Sequence, residues 1–288
     1  MPTDFLGNFP DRIVDSDGYP VTQVAASDVK TFPLTVVETD TAFPITLADN
    51  AFPANLFNAD GSEYDASPAT ALLGFQVFEA SGTYTPTTGT NYAYVVCVGG
   101  GGGGGFVRAL SGSIDHTGGG GAGGGVSASV ISSPTAVSIV IGAGGAGGVG
   151  ATDADLSFAT SGGATTYDGT VVVANGGGGG QGRSSATDAI GNGGDPGAVG
   201  TGDITLRGGG GQSGYGTTTG TKTYEGRGGA AAMGFGFGGK GDRSDVNIDG
   251  NDGVGYGGGG GSAATKSNTN GRNGGDGSDG VCLIWEFS

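Results

Sequence analysis

Residues 91–105 read NYAYVVCVGGGGGGG, an apolar run rich in Val and Tyr that climbs directly into seven consecutive glycines. The apolar half reads as a buried strand. The glycine half cannot extend it as an ordinary strand or turn into a helix, because glycine loses the most conformational entropy on ordering and brings no side chain to bury. Glycine dominates from there to Asp279, where the apolar run VCLIWEF at 281–287 returns. Strands therefore bracket the glycine region at both ends.

Glycine fills 70 of the 288 positions, so the familiar glycine-rich states have to be tested in turn. Collagen needs glycine at every third position with abundant proline, whereas here the spacing wanders and only 10 prolines are present. A flexible tract is the plain reading of a Gly/Ser-rich segment. Against it stand VSASVISSPTAVSIVIGAGG at 126–145 and TTYDGTVVVANGGGGG at 165–180, where β-branched runs alternate with glycine blocks. An ordered solution for the blocks themselves is the extended helix with three residues per turn. It has no internal hydrogen bonds, and glycine lets several such helices approach closely enough to bond through their backbones. GNGGDPGAVG at 191–200 and GRNGGDGSDG at 271–280 suit it, while 217–227 and 240–256 read as exposed loops.

The expected fold class is all-β: a small antiparallel β-sandwich followed by a layered, polyglycine-helix domain and preceded by an extended docking segment. Strands fall at about 72–174 and 281–287, and glycine helices at about 176–280. The alternation in 281–287 puts Val281, Leu283, Trp285 and Phe287 on one face. That face is assigned to the core, beside the strand carrying Val95 and Cys97 and the strand carrying Ile139 and Ile141. Cys97 and Cys282 read as two small buried apolar residues; a disulfide is the alternative, because Cα separation cannot be read from a sequence.

Residues 1–70 form a different regime, poor in glycine and rich in acids, in which Phe-Pro recurs at Phe32-Pro33, Phe43-Pro44 and Phe52-Pro53. Proline removes a ladder donor and biases its predecessor to extended geometry, so these units read as edge strands or extended arms. With few apolar anchors the segment is expected to dock on a partner or on copies of itself. The net charge of −16 argues against nucleic-acid binding, and no apolar stretch of membrane-spanning length is present, so membrane insertion is not expected.

Sites of chemistry are sparse. Asp245-x-Asn247-x-Asp249-Gly250 follows the first half of a calcium-binding loop, but Tyr256 stands where a bidentate Glu is needed and a polar turn is the better reading. His116, the single histidine, has no nucleophile around it and reads as a loop residue, so no catalytic residue and no cofactor is expected. Tyr215, Tyr224, Phe235, Phe237 and Tyr256 lie in glycine surroundings that cannot bury them all, and are the candidates for contact with a receptor. The alternative places them at the ends of the glycine layers or in a subunit interface.

Four pieces occur in a telling order: FEASGTYTP at 78–86, VVCVGGGGGGG at 95–105, IVIGAGGAGG at 139–148 and GGDGSDGVCLIW at 274–285. This order resembles the glycine-rich domain of phage tail-fibre and tail-tip proteins, over about residues 72–288. In some adhesins of that group, polyglycine helices pack in layers and loops at one end read the host. The resemblance implies a non-enzymatic virion protein, a tail-fibre or spike component for host-surface attachment. Its expected partners are other virion proteins through the N-terminal segment, further copies of the chain, and a host glycan or outer-membrane protein. A head decoration or spike without receptor binding is one alternative; a capsule-degrading enzyme is a more remote one.

Overall fold

The computed structural model describes residues 71–108, 115–150, 157–183, 191–215, 223–241, 243–244, 247–266 and 271–288, and the strands within 33–64. The chain divides into two compact units, Met1–Ala71 and Leu72–Ser288.

In the first unit, β1 (Pro33–Glu38) and β2 (Thr41–Thr46) form an antiparallel hairpin, and β3 (Leu56–Phe57) pairs with β4 (Glu63–Tyr64). Pro44 lies inside β2 opposite Thr35. A two-stranded sheet has an open edge on each strand, which is where a residue without an N–H donor is tolerated. Phe32 and the pair Phe52-Pro53 lie outside the described residues.

The second unit opens with β5 (Leu72–Phe78), β6 (Gly82–Tyr84), β7 (Tyr92–Val98), β8 (Asp115–Thr117), β9 (Val126–Ser132) and β10 (Val137–Val140). It continues with β11 (Thr165–Tyr167), β12 (Val172–Ala174) and β13 (Ile204–Leu206), and closes with β19 (Val281–Phe287). Two antiparallel sheets result, one in the order β13-β9-β7-β19-β5 and one in the order β12-β11-β10-β6. Between them lies one apolar core. Ala93, Val95, Cys97, Cys282 and Ile284 face Tyr84, Ile139, Tyr167, Val172 and Ala174.

The closing strand corrects the expected facing. Cys282 lies opposite Cys97 in register, so Cys282, Ile284 and Glu286 point into the sandwich with Cys97 and Val95. Val281 is a core residue as expected, but of a second apolar cluster on the other face with Val96, Val98 and Val126; Leu283, Trp285 and Phe287 lie on that face and are only half-buried. The acid is admitted because donors distant in sequence surround its carboxylate: Tyr84 Oη at 2.9 Å, Thr87 N at 2.8 Å, Thr87 Oγ1 at 2.7 Å and Gln76 Nε2 at 3.3 Å. Burial pushes the Glu286 carboxyl up, but these donors outweigh it and hold it below the usual range. Ile139 is buried in the same core and Ile141 packs half-buried at its rim. Cys97 and Cys282 are free thiols, with sulfurs 3.7 Å apart.

Beyond the sheets the glycine segments run side by side. Residues 99–105 donate in rotation to three neighbours: Gly99, Gly102 and Gly105 to Gly125, Ala122 and Gly119; Gly100 and Gly103 to Gly163 and Thr160; Gly101 and Gly104 to Ser278 and Gly275. Their carbonyls accept, in the same rotation, from Gly177 and Gly180, from Gly145 and Gly148, and from Gly260 and Ala263. A step of three residues between bonds to one neighbour is the signature of an extended helix with three residues per turn. Six neighbours around one helix make a hexagonal array. The same holds for 117–125 and for 257–263, so these three helices form its interior.

Sterics show why the interior is glycine. A Cβ on Gly102 would stand 2.1 Å from the Gly178 carbonyl oxygen, on Gly103 2.1 Å from that of Ala146, and on Gly104 1.9 Å from that of Gly261. Consecutive residues meet three different backbones, and none has room for a methyl group.

Candidate functional site

Val98 of β7 pairs with Val126 of β9 and with Val281 of β19, so helices 99–105, 117–125 and 271–280 all leave the sheets at one edge. The pairings of Val140 with Thr166 and Thr165 with Ala174 send 142–150, 157–163 and 175–182 off the same way. The array therefore has a near end, joined to the sheets, and a far end.

Three short strand pairs and a turn close the ends. β15 (Gly236–Phe237) pairs with β17 (Val254–Gly255) at the near end, beside the 3-10 turn Ala232–Gly234. At the far end β8 pairs with β18 (Ala264–Lys266), and β14 (Thr223–Tyr224) pairs with β16 (Arg243–Ser244). Phe106 and Val107 are fully buried at the far end, and the Phe106 ring takes the space that a Cβ on Gly182 or Gly148 would need.

The five aromatic candidates separate. Tyr215 and Tyr224 stand together at the far end: each backbone N–H donates to the other's carbonyl at 2.8 Å, and the rings lie 6.2 Å apart. They remain 54% and 43% exposed. Phe237, also exposed, is at the near end opposite Val254. Phe235 and Tyr256 are not surface groups of the same kind. They pack half-buried against the apolar cluster of Val98, Val126 and Val281, and the Tyr256 hydroxyl donates to Glu79. The near-end turn brings them back onto the sheet, which the spacing of the glycines does not reveal.

The loop readings also need correction. Glu225 is buried, and the Arg227 carbonyl accepts from Gln212, so this stretch enters the array. Gly250 and Gly253 donate to Asn273 and Asp276, so 248–253 is a further glycine helix. His116 is likewise buried, in β8 opposite Thr265, and is no loop residue.

Asp245 lies outside the described residues, and Asp249 Oδ1 accepts from Asn273 N at 2.9 Å while Oδ2 is 3.7 Å from Arg272 Nη1. Among the described residues no group of three or more His, Cys, Asp or Glu is arranged to hold a metal ion. What the acids do instead is bond the flank. Asp279, Asp276 and Asn273 accept from Gly144 N at 2.7 Å, Gly147 N at 2.7 Å and Gly150 N at 3.0 Å, one every three residues. Asp252 accepts from Asp276 N at 2.8 Å in the same way. A three-residue spacing of Asp and Asn was the readable signal of this role.

A second missed feature is charge placement. In a chain of net charge −16, Arg108, Arg183, Arg227, Lys240 and Arg272 all belong to the far halves of the glycine helices. The far end thus carries an exposed tyrosine pair and five cations, Arg272 among them paired with Asp249.

The glycine-rich domain family matches residues 78–285. The chain belongs to this family. The match spans both sheets and the array, from the end of β5 to Trp285 in β19. No curated protein matches the chain.

Proposed function

We propose that this glycine-rich domain protein is a non-enzymatic structural protein of a phage virion, a tail-fibre or spike component that meets the host surface with the far end of its array. Residues 1–70 attach it to other virion proteins. The observation that carries the reading is the division of labour within the array. Its interior is main chain and the Asp and Asn side chains on its flank are engaged in bonding neighbouring helices, while the exposed pair Tyr215 and Tyr224 stands at the end remote from the sheets, where Arg108, Arg183, Arg227, Lys240 and Arg272 also lie. An exposed aromatic pair at an end that also carries cations suits a bacterial envelope, which offers sugar rings and phosphates.

The test uses the full chain with Tyr215→Ala and Tyr224→Ala together, and reads its binding to host cells alongside its melting temperature. The reading expects binding to fall by roughly tenfold or more, the loss of two aromatic anchors, with melting unchanged. Equal binding by both proteins moves the assignment to a particle component that does not touch the host.

A further inference from the structure

The face of the five-stranded sheet turned away from the sandwich is apolar over most of its width. Its side chains lie in register in rows. One row runs Val77, Leu283, Val96, Ala128, Ile204 across all five strands; the next runs Phe75, Trp285, Tyr94, Val130; the third contains Phe287, Tyr92 and Ser132. None of these residues is charged, Ser132 is polar, and one carboxylate, that of Asp203, lies at the rim, where it accepts from Val130 N at 3.1 Å. Near the array the face is covered by Ala231, Ala232, Phe235 and Tyr256, but farther out it is open. Val130 is 61% exposed, Ile204 51% and Phe75 49%. The Trp285 ring lies between Phe75 at 4.9 Å and Tyr94 at 5.7 Å, an aromatic strip along the middle of the surface.

We infer that this face is a homodimer interface, closed by the same face of a second copy of the chain. Five strands about 4.8 Å apart and three rows about 6.8 Å apart give a footprint on the order of 400 Å² in projection. Upright side chains enlarge it, so two copies bury on the order of 1,000 Å², the lower bound for a specific interface. Charge selects the occupant. With a net charge of −16, two copies repel wherever their charged surfaces approach, and a face whose only carboxylate among the described residues of its rows is Asp203 at the rim is where they can meet. A two-fold axis through the aromatic strip makes the contact self-complementary, sheet on sheet at about 10 Å. This inference does not depend on host attachment.

The experiment is sedimentation of the full chain across micromolar concentrations, with the emission of Trp285, the single tryptophan, followed over the same dilution. The dimer should dissociate on dilution with a red shift of Trp285 emission. Added salt should tighten it, because screening weakens the repulsion between copies. Val130→Lys with Ile204→Lys, which lowers the net negative charge, should still weaken association by roughly a hundredfold with melting unchanged. A chain that is monomeric throughout overturns the inference, as does dissociation without a change in Trp285 emission or a double variant that dimerises as before. If the variant fails to fold, the Trp285 reading on the unaltered chain decides alone.

Discussion

At the scale of single residues, the same amino acid is indispensable in one place and incidental in another. Gly104 has the Gly261 carbonyl oxygen 1.9 Å from where a Cβ would sit, whereas at Gly210 the nearest atom would be Pro196 Cδ at 3.5 Å. Gly104→Ala forces main chains apart and should cost at least about 3 kcal/mol in thermal or denaturant unfolding. Gly210→Ala should be neutral or stabilise by about 0.4–1 kcal/mol, since it only restricts the unfolded chain. Glu286 gives the second residue-scale prediction. Its folded carboxyl titrates below the unfolded one, so its contribution is fully present above the ordinary carboxylate pKa of about 4.3 and disappears as pH falls through the lowered folded value. Glu286→Gln should cost about 1–3 kcal/mol at neutral pH, because an amide serves the donors from Tyr84, Thr87 and Gln76 poorly. Melting curves across acid pH should show the difference between the two proteins shrinking as the wild-type carboxylate protonates.

At the scale of elements, β19 holds the second unit together. It lies between β7 and β5, is the one strand among the described residues paired with β5, and feeds Cys282 and Ile284 to the sandwich core and Val281 to the apolar cluster on the opposite face. Removing residues 281–288 should abolish cooperative melting followed by circular dichroism; a truncated chain that melts like the parent would show that the sandwich closes without it. The existence of this strand, and of β7, β9 and β10, was legible because runs of β-branched and aromatic residues bounded by glycine announce strands. Which face of β19 is inward was not legible. Alternation shows two faces, but the choice between them rests on Tyr84, Thr87 and Gln76, whose hydrogen bonds to Glu286 cross about 200 residues of sequence. The fates of Phe235 and Tyr256 were hidden for a similar reason: the returning turn that seats them on the sheet is a matter of path, and glycine leaves no pattern to trace it. The exposure of Tyr215 and Tyr224, by contrast, follows from surroundings that offer almost nothing to bury a ring against.

At the scale of the whole second unit, the chain shuttles. It leaves the sheets along one glycine helix, returns along the next, makes a hairpin and leaves again, so large side chains collect at the two ends and backbone bonding, joined on the flank by Asp and Asn, fills the space between. Ordinary cores are fitted shape to shape, and adding an element to one requires new complementary surfaces. The hexagonal array has no such requirement: each helix offers the same donors and acceptors every three residues, in every direction around its axis. An out-and-back pair duplicated within the gene would therefore find a place already shaped for it along an outer flank whose donors are not taken by Asp and Asn side chains. Like a crystal, this architecture can grow by accretion, and its girth is free to drift between descendants while its length stays fixed by the distance from sheet to tip.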